Sequence, residues 1–118
     1  MIKLSASTFL TSALLAVPFY GQKAPAKEED NSVDHAGILQ SLDAASQARG
    51  KATYDNLCAN CHGTDGQTPA LPVSPAFGKG PFKFGDDPYS MFVTLTEGNG
   101  LMGPQTWMSP EERYDVIH

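Results

Sequence analysis

The only two cysteines of this 118-residue chain stand together in Cys58-Ala59-Asn60-Cys61-His62. Cys-x-x-Cys-His is the attachment signature of a c-type haem. Each thiol can add across one vinyl group of a porphyrin, and the adjacent imidazole is placed to ligate the iron from one face. Thioether bonds of this kind are covalent, so a small chain cannot lose the group. The remaining residues are then expected to line, cap and tune it.

Two other chemistries use paired cysteines. A structural zinc site needs four ligands, but the histidines beyond His62, namely His35 and His118, have no ligand-type spacing. A thioredoxin-like pair opens a helix after a strand inside a larger α/β unit. Here a helical pattern leads into the motif, and no β-α-β alternation is present. Haem attachment is the reading that survives.

Composition agrees with it. With six Phe, four Tyr and one Trp, the apolar core of so short a domain is lean, and a buried haem would serve as one large apolar slab. The formal charge of −5 and the lack of a basic patch speak against nucleic acid. An acidic surface suits solubility, and steering towards a basic redox partner.

Residues 1–21 read as a secretory signal peptide. Lys3 is followed by an apolar stretch, Leu4 to Phe19, that is short and interrupted by hydroxyl residues. A retained N-terminal anchor is the alternative, and membrane contact is expected only in that case. Export is consistent with a haem attached outside the cytoplasm. Residues 22–42 read as a linker, Lys/Glu/Pro-rich to Asn31 and ambiguous thereafter. His35 lies there in polar surroundings and reads as a solvated residue.

From Asp43 the pattern turns helical, with Asp43 or Ser46 as N-cap. Gly50, Tyr54, Leu57, Cys58 and Cys61 recur at three- and four-residue spacing and are expected to share one face. Gly50 costs roughly 1 kcal/mol against alanine in mid-helix, which suggests a second helix approaching closely there, with Tyr54 packing across the contact. A long Pro/Gly-rich loop, Thr64 to Gly85, offers Leu71, Val73, Phe77, Phe82 and Phe84 to a porphyrin or to a core. Asp87-Pro88 opens a second helix that Gly98 ends, with Met91 on its apolar stripe. Ser109-Pro110-Glu111-Glu112 opens a third by a capping box. It reaches His118 after barely two turns, as though the domain were truncated in its last helix.

Gly50-x-x-x-Tyr54, Cys58-x-x-Cys61-His62-Gly63, Pro75, a glycine-bounded methionine and the final Ser-Pro-Glu-Glu helix together resemble class I cytochrome c, over residues 43–118. The resemblance implies an all-α fold of three or four helices wrapped around one covalent haem, with long Pro/Gly-rich loops. It implies haem c on Cys58 and Cys61, His62 as proximal ligand, and the Pro75 carbonyl accepting from the imidazole Nδ1–H. Met102, in Gly100-Leu101-Met102-Gly103-Pro104, stands where the family places its distal ligand, with Met108 second. The family often has Met-Pro, whereas Gly103 intervenes here. The metal ligands expected are therefore His62 and Met102.

The function implied is electron transfer, not catalysis, by a free-standing cytochrome or by the haem module of a larger exported redox protein. Redox partner proteins, or a fused dehydrogenase or oxidase module, are the expected partners. The alternative is a haem-based sensor or ligand-binding domain with a labile distal methionine. An open peroxidase-like haem ranks last, for want of a distal His/Arg pair.

Overall fold

The computed structural model describes residues 32–118. The expected signal peptide and residues 22–31 of the expected linker lie outside them. The described chain is all-α: α1 (His35–Ser41), α2 (Ala44–Thr53), a π-helical turn (Tyr54–Cys58), α3 (Ala59–His62), a single 3-10 turn (Phe77–Lys79), α4 (Pro88–Glu97) and α5 (Pro110–Ile117). The segments of residues 44–62 follow one another without a break, so the described residues form four helical units joined by loops. Their only extended pairing is an isolated bridge, Asn99 to Met102.

The helix starts are set locally. Asp43 accepts from Ser46 N–H at 2.9 Å, and Asp87 accepts from Ser90 N–H at 2.9 Å with Pro88 in the first turn. Ser109 and Glu112 form a reciprocal capping box. Gly98 ends α4 with a φ of 75° that a side chain would strain.

Packing begins where α2 meets α5. A Cβ on Gly50 would overlap the Asp115 carbonyl, so the bare glycine lets the two backbones touch. The contact is clamped beside it. Arg49 grips the buried Asp115 carboxylate through Nε at 2.7 Å and Nη2 at 3.1 Å, and also bonds Ser46 Oγ. A two-pronged guanidinium–carboxylate pair fixes orientation as well as distance. On its other side α5 meets α4. Tyr114, fully buried, stacks on Phe92 with centroids 4.8 Å apart, and the Arg113 guanidinium lies over the Phe92 ring while bonding Thr96.

Three features differ from expectation. Residues 35–41, placed in the linker by composition, form α1. His35 is not solvated: its Nδ1 lies 2.8 Å from the Tyr114 hydroxyl, and Tyr89, Phe92 and Tyr114 all pack edge-on around its ring. Polar neighbours in sequence hid an aromatic pocket that only tertiary folding assembles. Third, the shared face inferred for Gly50 through Cys61 is broken by the π-helical turn. Ala59 N–H bonds Tyr54 O, one residue further back than in an α-helix, and the Asn56 side chain supplies a donor to Ala52 O. The extra residue shifts the helical register, and Leu57 is left 51% exposed.

Gly50→Ala is expected to destabilise the protein. Overpacking costs roughly 1–3 kcal/mol, and against backbone atoms the upper end applies, outweighing the gain of about 1 kcal/mol in helix propensity. Denaturant titration should show a net loss of about 2 kcal/mol.

The capping carboxylates predict acid sensitivity. Hydrogen bonds from Ser46, its N–H first, hold Asp43 below the ordinary carboxylate range, and those from the Ser90 hydroxyl and N–H do the same for Asp87. A depressed folded-state value means that the stabilisation is complete above the unfolded value of about 3.9 and is lost as pH falls through the folded value. Thermal melts from about pH 6 to about pH 2 should fall on the acid side. Asp43→Asn with Asp87→Asn, which keeps a cap but removes the titration, should flatten that fall.

Candidate haem attachment site

The two thiols emerge at the end of the long helical run. Cys58 closes the π-helical turn and is half-buried, whereas Cys61 stands exposed in α3. Burial pushes the Cys58 thiol up, and the neighbouring Cys61 adds to the effect. His62 ends α3, and the chain leaves it through Gly63 at φ 82°, where a Cβ would overlap the Thr68 carbonyl. That tight exit is braced by Asp65, whose carboxylate accepts from Gln67 N–H and Thr68 N–H, both at 2.8 Å.

The loop then folds back on the motif. Ala70 and Leu71 both donate N–H bonds to Cys61 O at 3.1 Å, and Phe77 N–H bonds Gly66 O at 2.7 Å. These closures bring the Phe77 ring onto the face of His62, stacked at 4.6 Å and 21°. Phe82 meets Phe77 edge-on at 5.7 Å, and Tyr54 does so at 6.2 Å. Tyr54 also donates its phenol proton to Gly63 O at 2.7 Å, and burial raises its pKa, so it stays a neutral donor. Tyr54 was expected to pack across Gly50; it instead reaches forward to the histidine's own exit.

The expected bond from His62 Nδ1–H to Pro75 O is not formed. Among the described residues no partner reaches the buried Nδ1, and Pro75 is exposed. Phe77, two residues later, lies against the face of the ring.

Of the methionines considered as distal ligands, Met108 is 5% exposed and belongs to the core. Met102 is half-buried in a turn closed by Asn99 N–H to Met102 O at 2.8 Å and Met102 N–H to Asn99 O at 3.0 Å. Gln105 N–H to Leu95 O, 2.7 Å, ties the same loop to α4. The methionine loop is thus pinned. Met91 is half-buried on α4. A ring contact joins His62 to Phe77 of the post-motif loop, and backbone hydrogen bonds join Met102 to Asn99.

The donor set fits a covalent haem: two thiols three residues apart, one imidazole next to them, and no cluster of further metal-ligating side chains among the described residues. Leu57, Leu71 and Phe77 stay exposed around that set, with Val73 and Phe84 further along the loop.

Residues 45–118 match the family model described as cytochrome C oxidase, cbb3-type, subunit III. The chain belongs to this family. No curated protein and no solved structure matches it. Residues 45–118 are accordingly a c-type cytochrome domain, in keeping with the class I resemblance, and such a domain is an electron carrier whose prosthetic group is haem c. Its all-α architecture agrees. α1 precedes the matched region.

Tyr54→Phe removes one hydrogen bond at the exit of the motif. A loss of about 1 kcal/mol in denaturant stability is expected, together with faster hydrogen exchange at the Gln67 and Thr68 amides as the exit loosens.

Proposed function

We propose that this chain carries single electrons through one haem c, held by thioether bonds from Cys58 and Cys61, with His62 and Met102 as the axial ligands. When bound, that group supplies exchange between ferrous and ferric iron. The supporting observation is the apolar surface around the motif. Exposed large apolar groups gathered about one motif favour a surface that is covered in use, and Leu57, Leu71 and Phe77 adjoin Cys58, Cys61 and His62 in turn. Covering them with a flat apolar group both binds it and keeps water from one of its faces.

Met102 is preferred to Met108 on burial and tethering. Met108 fills the core immediately ahead of α5, and turning it outward would open a cavity costing about 2–5 kcal/mol. Met102 already stands partly exposed on a turn whose backbone is fixed at both ends. A pinned turn also favours a permanent ligand over a labile one, and so electron transfer over ligand sensing. With His62 and Met102 both holding the iron, no position would be left for a substrate, as suits an electron carrier.

The reading extends to place and partner. Residues 1–21 would direct the chain out of the cytoplasm, to the periplasm or its equivalent, with residues 22–34 as tether. The domain serves either alone or as the haem module of a larger redox protein. The name of the matching family, an oxidase subunit, favours an oxidase complex as the partner. The formal charge of −5 favours a basic docking surface on it.

The test is expression with export and haem-attachment machinery, followed by spectroscopy. Covalently attached haem with a low-spin spectrum and a weak near-infrared methionine-to-iron band is expected. Met102→Ala should abolish that band, and Met108→Ala should leave it while lowering stability by about 2–5 kcal/mol. Loss of the band in Met108→Ala alone would exchange the two methionines, and a chain that never acquires covalent haem would end the proposal.

A further inference from the structure

Between α4 and α5 the chain carries Met102 on a segment whose folding has one hub. Gln105 engages every polar group it has. Its N–H donates to Leu95 O at 2.7 Å, satisfying a carbonyl in the last turn of α4. Its C=O accepts from the N–H of Met108, a core residue, at 3.2 Å. In the side chain, Nε2 donates to Gly103 O at 2.6 Å, and Oε1 accepts from the Trp107 indole N–H at 3.0 Å. A carbonyl can only accept and an indole N–H can only donate, so these two partners fix which way round the amide lies.

The bond to Gly103 O is the one that bears on Met102. Gly103 follows the methionine directly, and without a Cβ its backbone is the freest to rotate. A proline in that position would lock φ by its ring; here the Gln105 amide restrains the backbone from outside. On the other side of the methionine, the Asn99–Met102 bridge closes the turn. A Cβ on Gly98 would overlap Met102 O and the Gly103–Pro104 peptide, so the turn lies directly on the C-terminal end of α4. Met102 is therefore held from before by Gly98 and Asn99, and from behind by Gln105. Through Leu95 and Met108, Gln105 passes that hold to α4 and to the core.

We propose that Gln105 is the positioning residue of Met102: by bonding Gly103 O it sets the backbone from which the thioether is presented. The proposal rests on the reading of Met102 as the distal ligand. A thioether favours ferrous over ferric iron, so the ferric state is where a loosened turn lets the methionine detach. Trp107 orients the amide from its far end. The indole is 63% exposed, and water competes for bonds at such a surface. Losing the Gly103 bond therefore shifts the balance between attached and detached methionine by roughly two- to ten-fold.

The test titrates the haem-loaded ferric protein with imidazole, which competes with methionine for the iron, and follows the near-infrared methionine-to-iron band. Gln105→Leu removes both side-chain bonds, and imidazole should displace the methionine at a concentration roughly two- to ten-fold below that needed for the parent. Gln105→Glu at neutral pH keeps an acceptor for Trp107 but has no donor for Gly103 O, and should behave like Gln105→Leu. A merely structural role would lower the melting temperature of both variants and leave the imidazole midpoint where it was. That outcome, or a parent-like midpoint in Gln105→Glu, would overturn the proposal while leaving the ligand reading intact. Should Gln105→Leu fail to fold or to take up haem, Gln105→Glu decides alone. Met102→Ala separates the two readings: if it keeps the band, Met102 is not the ligand and both fall.

Discussion

Everything in this domain is referred to the place where Gly50 lets α2 rest on the backbone of α5 at Asp115. Two helices touching without an intervening side chain can take few relative positions, because neither can slide without a clash. The Arg49–Asp115 pair then sets the crossing direction, and the charged hydrogen bonds satisfy a carboxylate that would otherwise be costly to bury. From that crossing one path runs along α2 through the π-helical turn to the cysteines and His62. A second runs across α5, through Tyr114 and Phe92, to α4 and the Met102 turn. The two proposed ligands thus belong to separate arms whose common reference is a single backbone contact.

The buried apolar set among the described residues is small: Ala59, Phe92, Met108 and Tyr114. Apart from Ala59 it lies on the α4–α5 side. The motif side offers its apolar groups to the outside instead, as a domain does when part of its core is supplied by a prosthetic group. That division explains why α5 needs so many polar attachments. Arg113 on Thr96 and on the Phe92 ring, and Asp115 on Arg49, do by directed contacts what a larger core would do by area.

Features encoded within a few residues were legible in the sequence. Asp43, Asp87 and Ser109 announce their helices because a cap is a contact across three positions. The close approach at Gly50 was legible because a mid-helix glycine costs roughly 1 kcal/mol against alanine, a cost that a close helix contact offsets. The c-type cytochrome family was legible in Cys58-x-x-Cys61-His62 because that motif is a matter of spacing along the chain. The hidden features depend on partners distant in the chain. His35 looked solvated until Tyr89, Phe92 and Tyr114 closed around it, 79 residues separating it from the hydroxyl it meets. The π-helical turn has no compositional signature, and it undid a face assignment that assumed uniform α-helical spacing. Pro75 and Phe77 are two positions apart, and periodicity cannot decide which of them a folded loop will present to His62.

The loop after the motif is fastened in a particular way. Cys61 O holds Ala70 and Leu71 at one foot, and Gly66 O holds Phe77 at the other. Between those feet, residues 72–76 form an excursion, with Val73 72% exposed near its tip. Both feet are bonded close to the motif, one to Cys61 itself and one to Gly66, four residues past His62. Loop-closure entropy rises only slowly with length, about 0.6 kcal/mol per doubling. This short span is where the domain can lengthen or change its outline, and so acquire new neighbours, at little cost in closure entropy.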